Sequence, residues 1–159
     1  MTTKTQFAMD EWQRLTQLPR WVVAAASASQ QDLAYRTNIE VEAGLIASAN
    51  GRQAGNDFVT EVATDTMKIF DDRATVKAID FHDRDAAIAT VLDRVRDVNQ
   101  LLKAKADAGD AIAYRHWLLS ITDVVIAAAR TGDVLGFGGQ RITALEHNFR
   151  DRILQVLQS

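Results

Sequence analysis

The residues with the clearest chemical potential lie in one glycine-rich loop near the end of the chain. Four of the eight glycines fall within Thr131–Glu146, which reads TGDVLGFGGQRITALE. Backbone N–H groups at Gly136, Gly138 and Gly139 could bind an anion, helped by Arg141 and the positive end of the next helix dipole. The loop lacks the Gly-Lys-Ser/Thr ending of a Walker A motif, and no strand precedes it as in a dinucleotide fingerprint. An anion or small-ligand site and a purely structural helix connection are therefore both open interpretations.

The ends of this loop carry signals for helix termination and initiation. Gly132 follows a long apolar-periodic run, where a helix commonly ends on a glycine with positive φ. Thr143 and Glu146 have the spacing of a capping box, in which each side chain binds a backbone N–H at the start of a helix. The sequence therefore predicts a helix, a shaped loop and a capped helix.

The three histidines lack the partners that a metal site requires. A carboxylate-bridged di-iron bundle needs Glu-x-x-His pairs on two helices, and the sequence contains none. His82-Asp83 resembles a dipeptide of helical phosphohydrolases, but that site needs a second histidine upstream. We therefore expect no metal and no cofactor, with His147 exposed and His116 at the boundary of the bundle.

Acidic and hydroxyl side chains give no catalytic pattern. Glu61 and Asp65 share a helix face at i, i+4, which suits a catalytic or metal-binding pair but is more typical of a solvent-facing one. An acidic stretch allows a cation site or a solvated surface. Its residues are Asp71, Asp72, Asp80, Asp83 and Asp85. No serine has the Gly-x-Ser-x-Gly setting of an activated nucleophile, so we predict no catalytic residue.

Composition restricts the setting and the class of partner. The net charge is −3 and no segment is strongly basic, which disfavours nucleic-acid binding. The chain has no cysteine, which is compatible with a reducing cytoplasm. The longest apolar run, Trp21 to Ala26, is much shorter than a membrane span, and no signal-peptide pattern precedes it. We therefore expect a cytoplasmic protein without a membrane span.

Hydrophobic periodicity predicts an all-α fold. The chain has one proline, many alanines and no sustained alternation of apolar and polar residues. We predict one helical domain over residues 1–159, a bundle of about five longer and two shorter helices. The two shorter helices carry Trp12 to Leu18 and Arg20 to Ala28, with Pro19 beginning the second. The longer ones are Gln31 to Ala49, Asn56 to Phe70, a helix capped by Asp83, a helix after the turn at Gly109-Asp110 that ends at Arg130, and Ala144 to Leu157.

Apolar spacing also predicts the inward faces. In the helix from Gln31 to Ala49 the inward residues are Leu33, Ile39, Leu45 and Ile46, and in the helix after Asp83 they include Ile88, Val91, Leu92, Val95, Val98 and Leu102. A wide apolar band follows, with Trp117, Leu118, Ile121, Val124 and Val125. Because this band is broader than one core-facing stripe needs, we expect a homo-oligomer or another protein partner to cover part of it.

Two stretches resemble an uncharacterised family of small helical bacterial proteins. The first comprises Glu11-Trp12, Leu15 and Leu18-Pro19, and the second comprises Trp117-Leu118-Leu119, Leu135-Gly136-Phe137-Gly138-Gly139, Arg141-Ile142-Thr143 and Glu146. The resemblance implies an all-α fold and a bacterial intracellular setting, and it implies no activity. The leading functional expectation is a non-enzymatic interaction or structural domain, and the alternative is a ligand-binding module at the glycine-rich loop.

Overall fold

Six α-helices make up most of the computed structural model, which describes residues 1–28, 34–71, 83–131 and 144–159. Residues 34–38, 71, 129–131 and 144–147 contribute only their backbone to this description. The helices are α1 (Met9–Ala28), α2 (Ala34–Asn50), α3 (Asp57–Asp71), α4 (Arg84–Lys105), α5 (Ala108–Thr131) and α6 (Ala144–Gln158), with short 3₁₀ turns at Lys4–Gln6 and Gly51–Gln53. No strand occurs in these ranges, so the all-α prediction is confirmed.

Helix α1 runs through Pro19, so the prediction of two short helices separated there is wrong. Proline has no N–H, which leaves the Leu15 carbonyl without its usual donor four residues later. The Tyr114 hydroxyl on α5 donates to that carbonyl at 2.8 Å. The next carbonyl, that of Thr16, accepts from the Thr66 hydroxyl on α3 at 3.0 Å. The carbonyl that loses its partner at the proline is therefore satisfied from α5, and the bond from α3 adds a second contact beside it.

Helix α2 buries small residues rather than the large apolar ones that periodicity selected. Its core-facing positions include Ala47 and Ser48, and Gly44 lies against Val125 of α5. Ile46, predicted to point inward, is 55% exposed. Small side chains let two helix backbones approach closely, so here the close packing decides which face is buried. Ile39 and Leu45 are partly buried, and Leu33 lies outside the described residues.

The other helices follow the sequence signals more closely. Asn56 caps α3 by accepting from the Val59 N–H at 3.0 Å, and Asp83 caps α4 by accepting from the Ala86 N–H at 3.1 Å. All six apolar residues predicted for the inner face of α4 are buried. In α6 the residues Phe149, Ile153, Val156 and Leu157 are buried as well.

Helix α5 begins at Ala108, before the Gly109-Asp110 turn that was predicted to precede it, and the Asp107 carbonyl accepts from the Ala111 N–H at 2.9 Å. Gly109 and Asp110 therefore belong to the first helical turn and not to the connection before it. Four of the five residues in its apolar band are buried within the chain, whereas Val124 is 41% exposed. The fold itself thus covers most of the surface that suggested a partner.

By length and composition, α5 also meets the criteria for a membrane span. The stretch Ala108–Ala128 has a mean hydropathy of 1.2, and 44% of its apolar window is buried inside the fold. Core helices of water-soluble proteins satisfy the same criteria, so this single helix is weak support for a span. The expectation of no membrane span stays a prediction.

Candidate functional site

The glycine-rich loop cannot be assigned a geometry, because Gly136, Gly138, Gly139 and Arg141 lie outside the described residues. The same holds for Gly132 and for the Thr143 side of the capping box. The anion-site hypothesis for this loop therefore stays a prediction. The candidate sites that can be built from side chains lie elsewhere on the molecule.

Glu61 and Asp65, the acidic pair predicted on one helix face, bind the N-terminal segment, residues 1–7. The Lys4 backbone N–H donates to Glu61 Oε2 at 3.3 Å, and Lys4 Nζ lies 2.7 Å from Asp65 Oδ2. Asp65 also accepts from Trp12 Nε1 at 3.0 Å and from Lys68 Nζ at 2.7 Å. The two acids share a helix face, as predicted. Glu61 is exposed, whereas the Asp65 side chain is only 18% accessible.

These contacts set the electrostatics of Asp65. Partial burial raises the pKa of its carboxyl, but the hydrogen bonds from Lys4, Lys68 and Trp12 outweigh that effect, and the net pKa lies well below its usual value. Lys4 is also 5.3 Å from the centre of the Trp12 ring. An acid held ionised by two lysines and an indole N–H is suited to a structural role and poorly suited to proton transfer near neutral pH.

We expect Asp65→Asn to lower the free energy of unfolding by about 1 to 3 kcal/mol at neutral pH, because it removes charge-assisted hydrogen bonds from a partly buried site. The folded-state pKa is depressed, so the stabilisation is present above the unfolded-state value and is lost as pH falls. The difference between wild type and variant should therefore shrink from about pH 5 downward. Urea unfolding at several pH values measures it.

Asp93→Asn is the matched control for this measurement. Asp93 pairs with Arg96 on α4, but its side chain is 71% exposed, so its removal should change stability by less than about 0.5 kcal/mol at any pH. A loss for Asp65→Asn that stays constant down to acid pH would contradict the role assigned to its charge.

A second group of polar contacts holds the start of the chain against α5. Thr2 is buried, its N–H donates to Asp110 Oδ2 at 2.6 Å, and its hydroxyl accepts from the Asp107 N–H at 2.8 Å. The other Asp110 oxygen accepts from Asn56 Nδ2 at 2.8 Å. Partial burial raises the pKa of Asp110, yet the bonds from Asn56 and Thr2 lower it further than burial raises it. Asp110 therefore joins the N-terminal segment to the start of α3.

The described serines and histidine have structural or exposed positions. The Ser27 hydroxyl donates to buried Glu40 Oε2 at 2.6 Å, which joins α1 to α2. Ser48 and Ser120 donate to backbone carbonyls within their own helices. His116 is exposed on α5. Within the described ranges, no three metal-ligating side chains come together. Ser29, His82 and the side chain of His147 are outside the described part.

Two surface grooves bring together residues that are distant in sequence. One, of about 310 Å³, lies between the C-terminal part of α4, α5 and α6, and is called the α5–α6 groove below. Its lining residues are Lys103, Ile112, Arg115, His116, Leu119, Leu154, Leu157 and Gln158. The other, of about 320 Å³, lies between α1 and α4 and is called the α1–α4 groove. There the Arg94 guanidinium lies 4.2 Å from the centre of the Trp21 ring.

Sequence reasoning did not find either groove, and no local spacing signals them. The residues of the α5–α6 groove become neighbours only when three helices have packed together, and those of the α1–α4 groove only when α1 has packed against α4. No family model matches the chain, and no curated protein or solved structure matches it either. A helical fold by itself is compatible with many activities, so the side chains described above are the features that bear on function.

Proposed function

We propose that this chain is a non-enzymatic interaction domain that associates with a second copy of itself through the outer sides of α2 and α5. The observation that carries the proposal is the exposure of apolar side chains on these two helices. Ile46 on α2 is 55% exposed, and Val124 on α5 is 41% exposed. Exposed apolar residues gathered on adjacent elements are typical of protein contact surfaces.

Close packing places the two helices side by side. A Cβ built at Gly44 of α2 would lie 2.8 Å from Val125 Cγ2, and one built at Gly51 would lie 2.5 Å from Trp117 Nε1. The backbone of α2 therefore lies close to Val125 of α5, and the turn that follows α2 lies close to the Trp117 ring. A partner that bound the outer side of one helix would lie near the other as well.

The contacts of the buried and partly buried polar side chains support a structural role for them. Asp65 and Asp110 hold the N-terminal segment, and Ser27 donates to Glu40 between helices. Each of these groups forms hydrogen bonds to other residues of the same chain. The setting that we propose is the bacterial cytoplasm, supported by the cysteine-free composition and by the sequence resemblance.

Ile46→Glu combined with Val124→Glu should abolish self-association, because charges placed in an apolar contact lose hydration without gaining a partner. Size-exclusion chromatography with light scattering should give the wild type a mass above 17.6 kDa that rises with micromolar concentration. The double variant should remain at the mass of one chain. Far-UV circular dichroism should be the same for both proteins, since the altered side chains are exposed.

Met9→Glu is the matched control, because Met9 is 80% exposed and lies at the start of α1. This variant should associate like the wild type. A wild-type mass of one chain at every micromolar concentration would refute self-association. A larger mass that is unchanged in the double variant would place the contact on another surface and would equally refute the proposal.

A further inference from the structure

The α5–α6 groove combines an apolar wall with a basic edge. Four of its lining residues are apolar, and one of them, Ile112, is 50% exposed. Leu119 and Leu154 are partly buried on the facing sides of α5 and α6. A solvent-exposed groove of this kind offers about the volume of the smaller ligand sites in proteins, which begin at roughly 300 Å³.

All ionisable side chains that line this groove are basic or neutral. They are Lys103, Arg115 and His116, and no aspartate or glutamate is among the lining residues. The α1–α4 groove provides a comparison, because there Arg14 and Arg94 are accompanied by Asp93 and Asp97. No acidic side chain of the lining therefore balances these cations, and an anion would be attracted to them.

Buried hydrogen bonds hold the basic edge in place. Asn99 on α4 is 2% exposed; its side chain donates to the Val156 carbonyl of α6 at 2.9 Å and accepts from Arg115 Nε of α5 at 2.8 Å. Arg115 has four further N–H donors on its two terminal nitrogens. Lys103 Nζ lies 2.5 Å from the Ser159 carbonyl, which uses one of its three donors. Both cations thus keep donors for a ligand.

From this combination we propose that the α5–α6 groove binds a free carboxylate that carries an unbranched apolar tail, such as a medium-chain fatty acid. The carboxylate accepts hydrogen bonds from Lys103 and Arg115, and hydrogen bonds between ionised partners are stronger than those between neutral groups. The tail lies along Ile112, Leu119 and Leu154, where it removes apolar surface from water. A small anion without a tail would use only the basic edge, and a neutral alcohol would use only the apolar wall.

This site is separate from the proposed self-association surface. Ile112 and Val124 are both on α5, but with 3.6 residues per turn their side chains leave the helix about 120° apart. Ligand binding can therefore be tested on the Ile46→Glu, Val124→Glu protein, which should bind as the wild type does. Failure of one proposal would leave the other intact.

The test is titration of the full chain with decanoate below its critical micelle concentration, measured by calorimetry and by amide chemical shifts. Decanol supplies the same tail without charge, and acetate supplies the carboxylate without the tail. We expect saturable binding of decanoate, binding of both comparison compounds at least about tenfold weaker, and shifts concentrated on the lining residues of α5 and α6. Higher salt should weaken decanoate binding.

Two variants locate the charge and the tail. Lys103→Gln should weaken decanoate binding by roughly threefold to tenfold through the lost ion pair, and Ile112→Ser should weaken it through lost apolar contact. Arg14→Gln removes a cation from the α1–α4 groove and should leave the affinity unchanged. Absence of saturation, equal affinity for decanol, shifts centred on another surface, or equal losses in the Lys103 and Arg14 variants would overturn the proposal.

Discussion

Replacing Gly44 with alanine should destabilise the protein, although alanine is favoured over glycine in a helix interior by about 1 kcal/mol. The added Cβ would lie 2.6 and 2.7 Å from the two Cγ atoms of Val23 and 2.8 Å from Val125 Cγ2. Valine has few χ1 rotamers in a helix, so neither side chain can turn away cheaply. We expect a net loss of about 1 to 3 kcal/mol in the free energy of unfolding.

Gly51→Ala should have an effect of the same size for a related reason. Its Cβ would lie 2.5 Å from Trp117 Nε1, 2.6 Å from Trp117 Cε2 and 2.8 Å from Ala63 Cβ. The Trp117 ring is buried and meets the Tyr114 ring edge-on, with 5.6 Å between centroids. Relief of the contact would require the indole to shift against Tyr114 or α2 to move away from α5.

Gly109→Ala is the control, because it makes the same chemical change in the first turn of α5, where no atom lies within 4 Å of the added Cβ. It should stabilise the protein by about 0.4 to 1 kcal/mol, because alanine lowers the conformational entropy of the unfolded chain. Urea unfolding followed by circular dichroism compares the three variants. If Gly44→Ala were stabilising to the same extent as Gly109→Ala, the close approach of α2 to α5 would be wrong.

Helices α4 and α2 show where sequence-based prediction of the buried faces succeeded and where it did not. Helix α4 was predicted correctly because its buried face consists of full-sized apolar residues repeating at three and four. In α2 the buried face consists of Glu40 and small residues, while Ile46 is left outside. Hydrophobic periodicity measures side-chain size and polarity, and it cannot detect a face that is buried because its residues are small.

The candidate sites show a second limit, which comes from distance along the chain. The shared face of Glu61 and Asp65 follows from helix geometry and was predicted, but their partner Lys4 comes from the N-terminal segment. The α5–α6 groove similarly joins Lys103, the first half of α5 and the end of α6. Spacing rules describe neighbours within one helix, whereas these sites are defined by which helices pack together.

Pro19 is the clearest case of a local rule overruled by tertiary contacts, because α1 continues through it. Tyr114 is fully buried, and burial raises the pKa of its hydroxyl, which therefore remains a donor to the Leu15 carbonyl. Tyr114→Phe keeps the ring but leaves that carbonyl without a donor, since proline offers none. We expect a loss of about 1 to 3 kcal/mol in the free energy of unfolding, measured by urea denaturation.

Thr122→Val is the control for the loss of a buried hydroxyl. Thr122 is fully buried on α5, and its hydroxyl donates to the Leu118 carbonyl at 3.1 Å. That carbonyl is four residues before Thr122 and can still receive the backbone N–H of residue 122. The substitution should therefore have a smaller effect than Tyr114→Phe, about 1 kcal/mol or less.

A double-mutant cycle with Pro19→Ala isolates the contribution of the missing N–H. Alanine at position 19 restores a backbone donor that can reach the Leu15 carbonyl, so in that background Tyr114→Phe no longer leaves the acceptor unpaired. The cost of Tyr114→Phe should then fall by about 1 kcal/mol, within the range of coupling between residues in contact. Equal costs in the two backgrounds would mean that Tyr114 stabilises the core through its ring and other contacts, independently of the proline. A reduced cost would identify the hydroxyl as the group that allows α1 to continue through Pro19.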